Sequence, residues 1–349
     1  MTPQVGFHTK QEILSQPEVW EKSLQRLQSL DPLQYPDMAA YDQVIFTGCG
    51  STYYLSRWAA RACEKETGVT SRAVPASDLL LFPDQWIHKA RKTLLVAVSR
   101  SAETTETILA LKAFRSNGYG DTVVVTCYPE RELARLSPHV IDVPDAQEES
   151  VAQTRSFSNM LLGVSWLIAK RVPEGLPSRY AQAGRAIIDQ YRFVAERLGR
   201  DLSITKFFFL GSGELYGLAN EAMLKMKEMS LSYSECFHTL EFRHGPMSMI
   251  DSESLIVDLI NHASHEYEYA LLRDMKSKGA RTLGILDQRH PGGEIALDDQ
   301  VLLQSGVPDL WRAPLYLPIL QLIAYERSMI KGLNPDRPTN LTTVVVLNG

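Results

Sequence analysis

The sequence predicts an α/β protein of two tandem lobes, each a mainly parallel sheet flanked by helices in three layers (α/β/α). Three observations predict this. Short apolar runs alternate with helical patterns along the chain, each run ends at Gly, Ser or another small polar residue, and the series starts again in the second half.

Taken in order, residues 10–31 form an amphipathic lead-in. Leu14, Trp20, Leu24 and Leu27 recur near helical spacing, and Pro17 suits a helix start. Val44–Thr47 then runs into Gly48-Cys49-Gly50-Ser51, Leu94–Val98 into Ser99-Arg100-Ser101-Ala102, and Thr122–Thr126 into Cys127. Strand followed by helix, repeated, implies parallel strands covered on both faces. A helical stretch from Val151 to Lys170 closes the first lobe, and the region from Pro177 to Arg200 bridges to the second. There Lys206–Leu210 precedes Gly211-Ser212-Gly213, and Leu255–Ile260 precedes Asn261-His262-Ala263-Ser264. The two series align at nearly constant separation, as internal duplication would leave them. The expected organisation is a lead-in over 1–35, a first lobe over 36–185, and a second lobe over 186–349 with the C-terminal tail.

Composition narrows the function. Over 349 residues, 44% hydrophobic and 22% charged content is that of a globular chain, not a disordered one. A net charge of −5 and a pI near 5.9 argue against a nucleic-acid surface. The cysteines Cys49, Cys63, Cys127 and Cys236 form no CxxC pair, and the N-terminus shows no signal-peptide pattern. The most apolar segment, Ala313 to Tyr325, is too short for a bilayer. A soluble cytoplasmic protein without nucleic-acid or membrane partners is expected.

Beyond the carboxyl end of a parallel strand, a helix N-terminus points free N–H groups at a ligand. Ser99, Ser101 and Thr104 add hydroxyls there, and Gly50-Ser51-Thr52 lies in the equivalent place after the first strand. Either segment alone reads equally as a turn with a helix cap. The second lobe carries Asn261-His262-Ala263-Ser264 where the first carries the hydroxyl-rich loop, so one phosphate per chain is expected. Glu221 and Glu228, seven apart, share a face of one predicted helix, and Glu241, Arg243 and His244 follow in a loop broken by Gly245-Pro246. A carboxylate and an imidazole are what proton transfer on a sugar requires. Glu221 on a solvated face and Glu228 in a surface ion pair with Lys225 or Lys227 are the plain alternatives. His262 and His265 lack a ligand cluster, so no metal is expected. The methionines at 223, 226, 229, 247 and 249 read as core.

These segments resemble the double sugar-isomerase-domain (SIS) family, which includes the isomerase half of glucosamine-6-phosphate synthase and the amino-sugar-phosphate deaminase/isomerases. Gly50-Ser51-Thr52 is similar to the family's Gly-Thr-Ser turn, and Ser99–Thr104 to its Ser-x-Ser-Gly-Glu-Thr loop. Glu148–Arg155 is similar to its Glu-x-x-Val-Ala-Ser-Thr-Lys segment, Lys225-Met226-Lys227-Glu228 to its Lys-x-Lys-Glu helix, and Arg243-His244-Gly245-Pro246 to its Lys-His-Gly-Pro loop. The resemblance implies two SIS lobes and a homodimer with a shared active site, with no cofactor. Glu228 would move the proton between C1 and C2, His244 would assist ring opening from the neighbouring subunit, and Glu221 would orient the site or share proton transfer. Ser51, Thr52, Ser99, Arg100, Ser101 and Thr104 would hold the phosphate, with Val151 and Ala152 against the substrate.

Two departures shape the expectation. No glutaminase domain with an N-terminal Cys precedes the lead-in, which points away from glutamine-dependent amination. Thr342-Thr343 stands where the synthase would place an imine-forming lysine. A substrate that already carries nitrogen has no need of that lysine. Arg100 replaces a neutral amide and adds a cation near the anion. The expected activity is an aldose–ketose isomerase acting as an amino-sugar-6-phosphate deaminase/isomerase, releasing ammonia. A fructosamine-6-phosphate deglycase is the alternative enzyme, and a non-catalytic sugar-phosphate sensor the alternative of another class.

Overall fold

A computed structural model of the chain describes residues 4–345. The chain divides into two compact units. Of the described residues, the first lobe holds Glu18–Glu148, Arg155–Ser178 and 342–345; the second holds Arg179–Leu341 together with 4–17 and Glu149–Thr154.

In the first lobe, β1 (Gln43–Gly48), β2 (Ser71–Pro75), β3 (Thr93–Val98), β4 (Gly120–Thr126) and β5 (His139–Asp142) form one sheet in the order β2-β1-β3-β4-β5. Every pairing is parallel, with Phe46 opposite Val96 and Val96 opposite Val123. All residues of β1 and β3 are buried, which explains why these strands are continuous apolar runs rather than alternating ones. Side chains alternate between faces. Val124 joins a core with Ile108, Leu111 and Phe114 of the helix Thr105–Ser116, while Val125 meets Gly163 of the helix Arg155–Ala169.

The second lobe repeats the design. Its strands β6 (Lys206–Gly211), β7 (Tyr233–Phe237), β8 (Ser254–Leu259), β9 (Arg281–Leu286) and β10 (Asp299–Leu302) pair in parallel in the order β10-β9-β8-β6-β7. Read from the other edge, that is the first lobe's order. The helix His265–Ser277 covers Phe208, Leu210 and Ile256 through Leu271, Leu272 and Met275, and the helices Leu215–Ser230 and Leu317–Ile330 pack together.

Three local expectations change. The lead-in is two helices, Phe7–Leu14 and Gln16–Gln28, separated at Ser15, and the chain passes from one unit to the other inside the second helix, after Pro17. The helix expected from Val151 starts at Arg155, because Glu148 caps it by accepting from the Ser156 backbone N–H at 3.0 Å and from the Ser156 hydroxyl. Met223, Met226 and Met229 are buried as expected, but Met249 sits exposed in the irregular turn Pro246–Met249. No helix among the described residues is long and apolar enough to cross a membrane.

Candidate active site

At the carboxyl edge of the first sheet, the turn after β1 closes on itself. The Thr52 hydroxyl accepts from the Cys49 N–H and donates to the Cys49 carbonyl, both at 2.9 Å. A Cβ on Gly48 would lie 2.5 Å from that hydroxyl oxygen, so only glycine fits. The helix Ser51–Thr67 begins here. Beside it, after β3, Ser99 Oγ accepts from the Ala102 N–H at 3.1 Å and Ser101 Oγ from the Glu103 N–H at 3.2 Å. Both hydroxyls shape the loop and keep an O–H to donate. Thr104 occupies the cap position of the next helix without a side-chain capping bond. Ala102, in the place of the resembled family's glycine, has φ 53°.

Arg100 has a more committed setting than the sequence suggests. Its guanidinium is 3.1 Å from Glu148 Oε2, the two side chains are 5% and 0% exposed, and a second nitrogen donates to the Thr343 carbonyl at 3.4 Å. Its charge is matched inside the lobe, so any pull on an anion is shared with Glu148. The tail position of the departed lysine thus supplies a backbone carbonyl to this loop.

In the second lobe, Glu221, Lys225 and Glu228 line one face of the helix Leu215–Ser230. Lys225 Nζ lies 3.3 Å from Glu221 Oε1 and also donates to Glu228 Oε2. Exposure grades along the row, at 1% for the Glu221 and Lys225 side chains and 20% for Glu228. Burial pulls the ammonium's pKa down, but the two carboxylates outweigh it and hold Lys225 above its ordinary value, charged. Neither a solvated Glu221 nor a surface Lys225–Glu228 pair describes this row. The sequence offers Lys225 as a motif residue and as a surface partner of Glu228; its spacing of four from Glu221 and three from Glu228 is the signal for the buried role. His244 stands exposed after the turn Leu240–Arg243, and among the described residues no hydrogen bond or ion pair ties its ring to the row. Arg243 pairs with Asp274 at 2.6 Å.

Val151 and Ala152 lie on a non-helical segment held from both sides within the second lobe. Buried Glu12 accepts from the Glu149 N–H at 2.6 Å, the Ser150 N–H at 3.2 Å and the Ser150 hydroxyl. The Val151 N–H donates to the Asp336 carbonyl at 3.0 Å, while Asp336 Oδ1 accepts from the Thr9 N–H and hydroxyl, both at 2.8 Å. Sequence reasoning missed Glu12 and Asp336; an acid inside the apolar stripe of the lead-in was the available sign. Elsewhere in this lobe His290 joins His262 and His265, with 4.1 Å between the His265 and His290 ring centroids. Among the described residues no group of three or more His, Cys, Asp or Glu is arranged to hold a metal ion.

The profile of the SIS domain matches residues 38–170 and 203–301, one match on each sheet and together more than half the chain. The chain belongs to the SIS domain family. Among its relatives, a glutamine–fructose-6-phosphate aminotransferase (isomerizing) of Methanothermobacter thermautotrophicus is 26% identical over 89% of this chain, which spans 52% of that enzyme. This SIS chain therefore covers about half the length of such relatives. A Streptomyces coelicolor protein provisionally named D-galactosamine-6-phosphate deaminase AgaS is 28% identical over 95% of this chain and 91% of its own length. Among solved structures, glucosamine-6-phosphate deaminase from Thermotoga maritima superposes with a TM-score of 0.78 at 26% identity, covering 97% of this chain and 100% of that one. Tagatose-6-phosphate ketose/aldose isomerase from Escherichia coli reaches a TM-score of 0.85 at 23% identity, over 99% and 97% of the two chains, and shares the fold.

Proposed function

We propose that this SIS protein is a phosphosugar isomerase acting on an amino-sugar 6-phosphate, converting it to the ketose 6-phosphate with release of ammonia. The observation that carries the reading is the Glu221–Lys225–Glu228 row. It presents one partly open carboxylate, Glu228, backed by a buried ammonium and a second, buried carboxylate. That order assigns Glu228 to carbon and Glu221 to orientation through Lys225. In the open-chain aldose, Glu228 removes the C2 proton and the electrons move through C1 to its oxygen, forming an enolamine. Returning the proton to C1 leaves a C2 imine, water adds, and ammonia departs. The C1 carbonyl oxygen takes up the electrons in the first step and the substrate's own nitrogen does so when water adds to the imine, so no imine to the protein is required, which is consistent with Thr342-Thr343 in place of a lysine. A positioned carboxylate supplies about 10²–10⁴-fold in such a transfer.

The phosphate is assigned to Ser51, Thr52, Ser99, Ser101 and Thr104, with Arg100 shaping their loop, and Val151 and Ala152 to the sugar. His244 is assigned to ring opening, in a cytoplasmic homodimer whose shared site takes it from the partner copy. Two relatives named as hexosamine-phosphate deaminases match over nearly their whole length, which supports deamination over a synthase reaction.

Incubation with glucosamine 6-phosphate and with galactosamine 6-phosphate, assayed for ammonia and ketose 6-phosphate, tests the proposal. Ammonia from one of them, lost in Glu228→Gln while ligand binding persists, is the expected result. Turnover of a fructosamine 6-phosphate alone would move the assignment to a deglycase. Binding without turnover of any of these would make the protein a sensor.

A further inference from the structure

The two sheets have the same strand order, so β8 corresponds to β3 and the helix His265–Ser277 to the helix Thr105–Ser116. Counted from the last strand residue, Asp258 corresponds to Ala97; counted from the helix start, Glu268, its fourth residue, corresponds to Ile108. Both first-lobe residues belong to the apolar core. Both second-lobe residues are fully buried carboxyls.

Glu268 does not pack like Ile108. Its carboxylate turns back over the first turn of its own helix, into the place beyond the strand where an anion would sit. Oε2 accepts from the Asn261 N–H at 2.9 Å and Oε1 from the Ser264 hydroxyl at 2.9 Å, and the Ser212 hydroxyl also favours its charged form. Ser212 belongs to the turn after β6, the counterpart of the Gly50–Thr52 turn. A strand-end amide, a hydroxyl of the following loop and a hydroxyl of the neighbouring turn are the donor classes that the first lobe holds out in the same two loops. Asp258 lies below, accepting from the Thr239 hydroxyl at 3.0 Å, with Oδ2 buried and without a hydrogen-bond partner among the described residues. Burial of an acid so placed favours its protonated form, and of the two carboxyls it is Glu268 that holds the donors favouring charge.

We infer that the Glu268 carboxylate is a built-in anion that fills the second lobe's duplicate of the phosphate site, so that each chain offers a phosphate only the first-lobe loop. The inference concerns a phosphate-class ligand and the second lobe alone. It does not depend on the reaction proposed above.

Crystals of the wild type and of Glu268→Ala, soaked in inorganic phosphate and compared with ³¹P titrations in solution, test it. The wild type is expected to hold no phosphate at Asn261–Ser264, and Glu268→Ala to hold one there, on the Asn261 N–H and the Ser264 hydroxyl. If the alanine variant does not fold, Glu268→Ser carries the same test with a smaller void. Phosphate at Asn261–Ser264 in the wild type with Glu268 in place, or a folded variant that leaves those donors empty at saturating phosphate, would overturn the inference. Occupancy of the Ser99–Thr104 loop is read in the same maps and bears on the proposed function instead.

Discussion

Lys225 Nζ lies 3.3 Å from Glu221 Oε1, and each side chain is 1% exposed. An ammonium so buried is held by its two carboxylates, and they in turn are held by it. Replacing Lys225 with Met removes the one charge that separates Glu221 from Glu228. Breaking a buried pair by deleting one partner costs about 3–5 kcal/mol. Lys225→Met is therefore expected to lower unfolding stability by that order in urea titrations. It should also remove turnover in the ammonia assay, because Glu228 loses its orienting hydrogen bond.

Arg100 and Glu148 make the corresponding prediction for the first lobe. Glu148 receives Arg100 at 3.1 Å and also caps the helix Arg155–Ala169 through the Ser156 N–H. Glu148→Gln keeps the shape but leaves a buried guanidinium without its counter-charge. It should cost about 3–5 kcal/mol, whereas a double change to Arg100→Met and Glu148→Leu should recover part of that loss. A double-mutant cycle by denaturant unfolding measures the coupling. Additive losses would remove the ion pair from the account of this loop.

Ala102 carries the third prediction. At φ 53° it sits in the left-handed region, where a Cβ costs about 1–2 kcal/mol, and the resembled family has glycine in this loop position. Part of any gain is offset by the greater freedom of glycine in the unfolded chain. Ala102→Gly should therefore raise stability by about 0.5–1 kcal/mol and leave the Ser99 and Ser101 backbone bonds in place. Thermal melts with and without inorganic phosphate check both points.

How far the sequence could be read follows from what each element buries. The strands were legible because β1, β3 and β8 are buried along their whole length and appear as mainly apolar runs, interrupted in β8 by Asp258. The duplication was legible because Gly48 and Gly211 follow β-runs at matching places, and close packing against the next helix enforces both glycines. The lead-in was legible as helical and Pro17 as a helix start, but the break at Ser15 and the passage from one unit to the other after Pro17 depend on packing in three dimensions. Residues 151–154 read as the start of the helix that runs to Lys170 because no breaker stands there; Glu12, more than a hundred residues away, holds the preceding Ser150 and decides the segment's shape. The placing of Glu221 and Glu228 on one helix face, and of the Ser99 loop after β3, was legible from spacing. The roles of Glu12 and Asp336 were not, since each depends on partners far away in the chain that a local pattern does not display.

Asp258 supports a prediction about pH. Burial, and then the charge of Glu268, push its pKa well above the ordinary carboxyl value. A group whose folded pKa is raised binds its proton more tightly in the native state. Its contribution is fully present below the unfolded value near 3.8 and is lost as pH climbs through the folded one. Over that interval one extra proton bound by the native state makes stability fall by about 1.4 kcal/mol per pH unit. Asp258→Asn retains an acceptor for Thr239 and has no proton to lose, so its unfolding free energy should decline less steeply from acid to neutral pH than the wild type's. Denaturant titrations across that range compare the two slopes. Equal slopes would mean that Asp258 is ionised in the native protein, and the negative charge of the buried pair would then not rest on Glu268 alone.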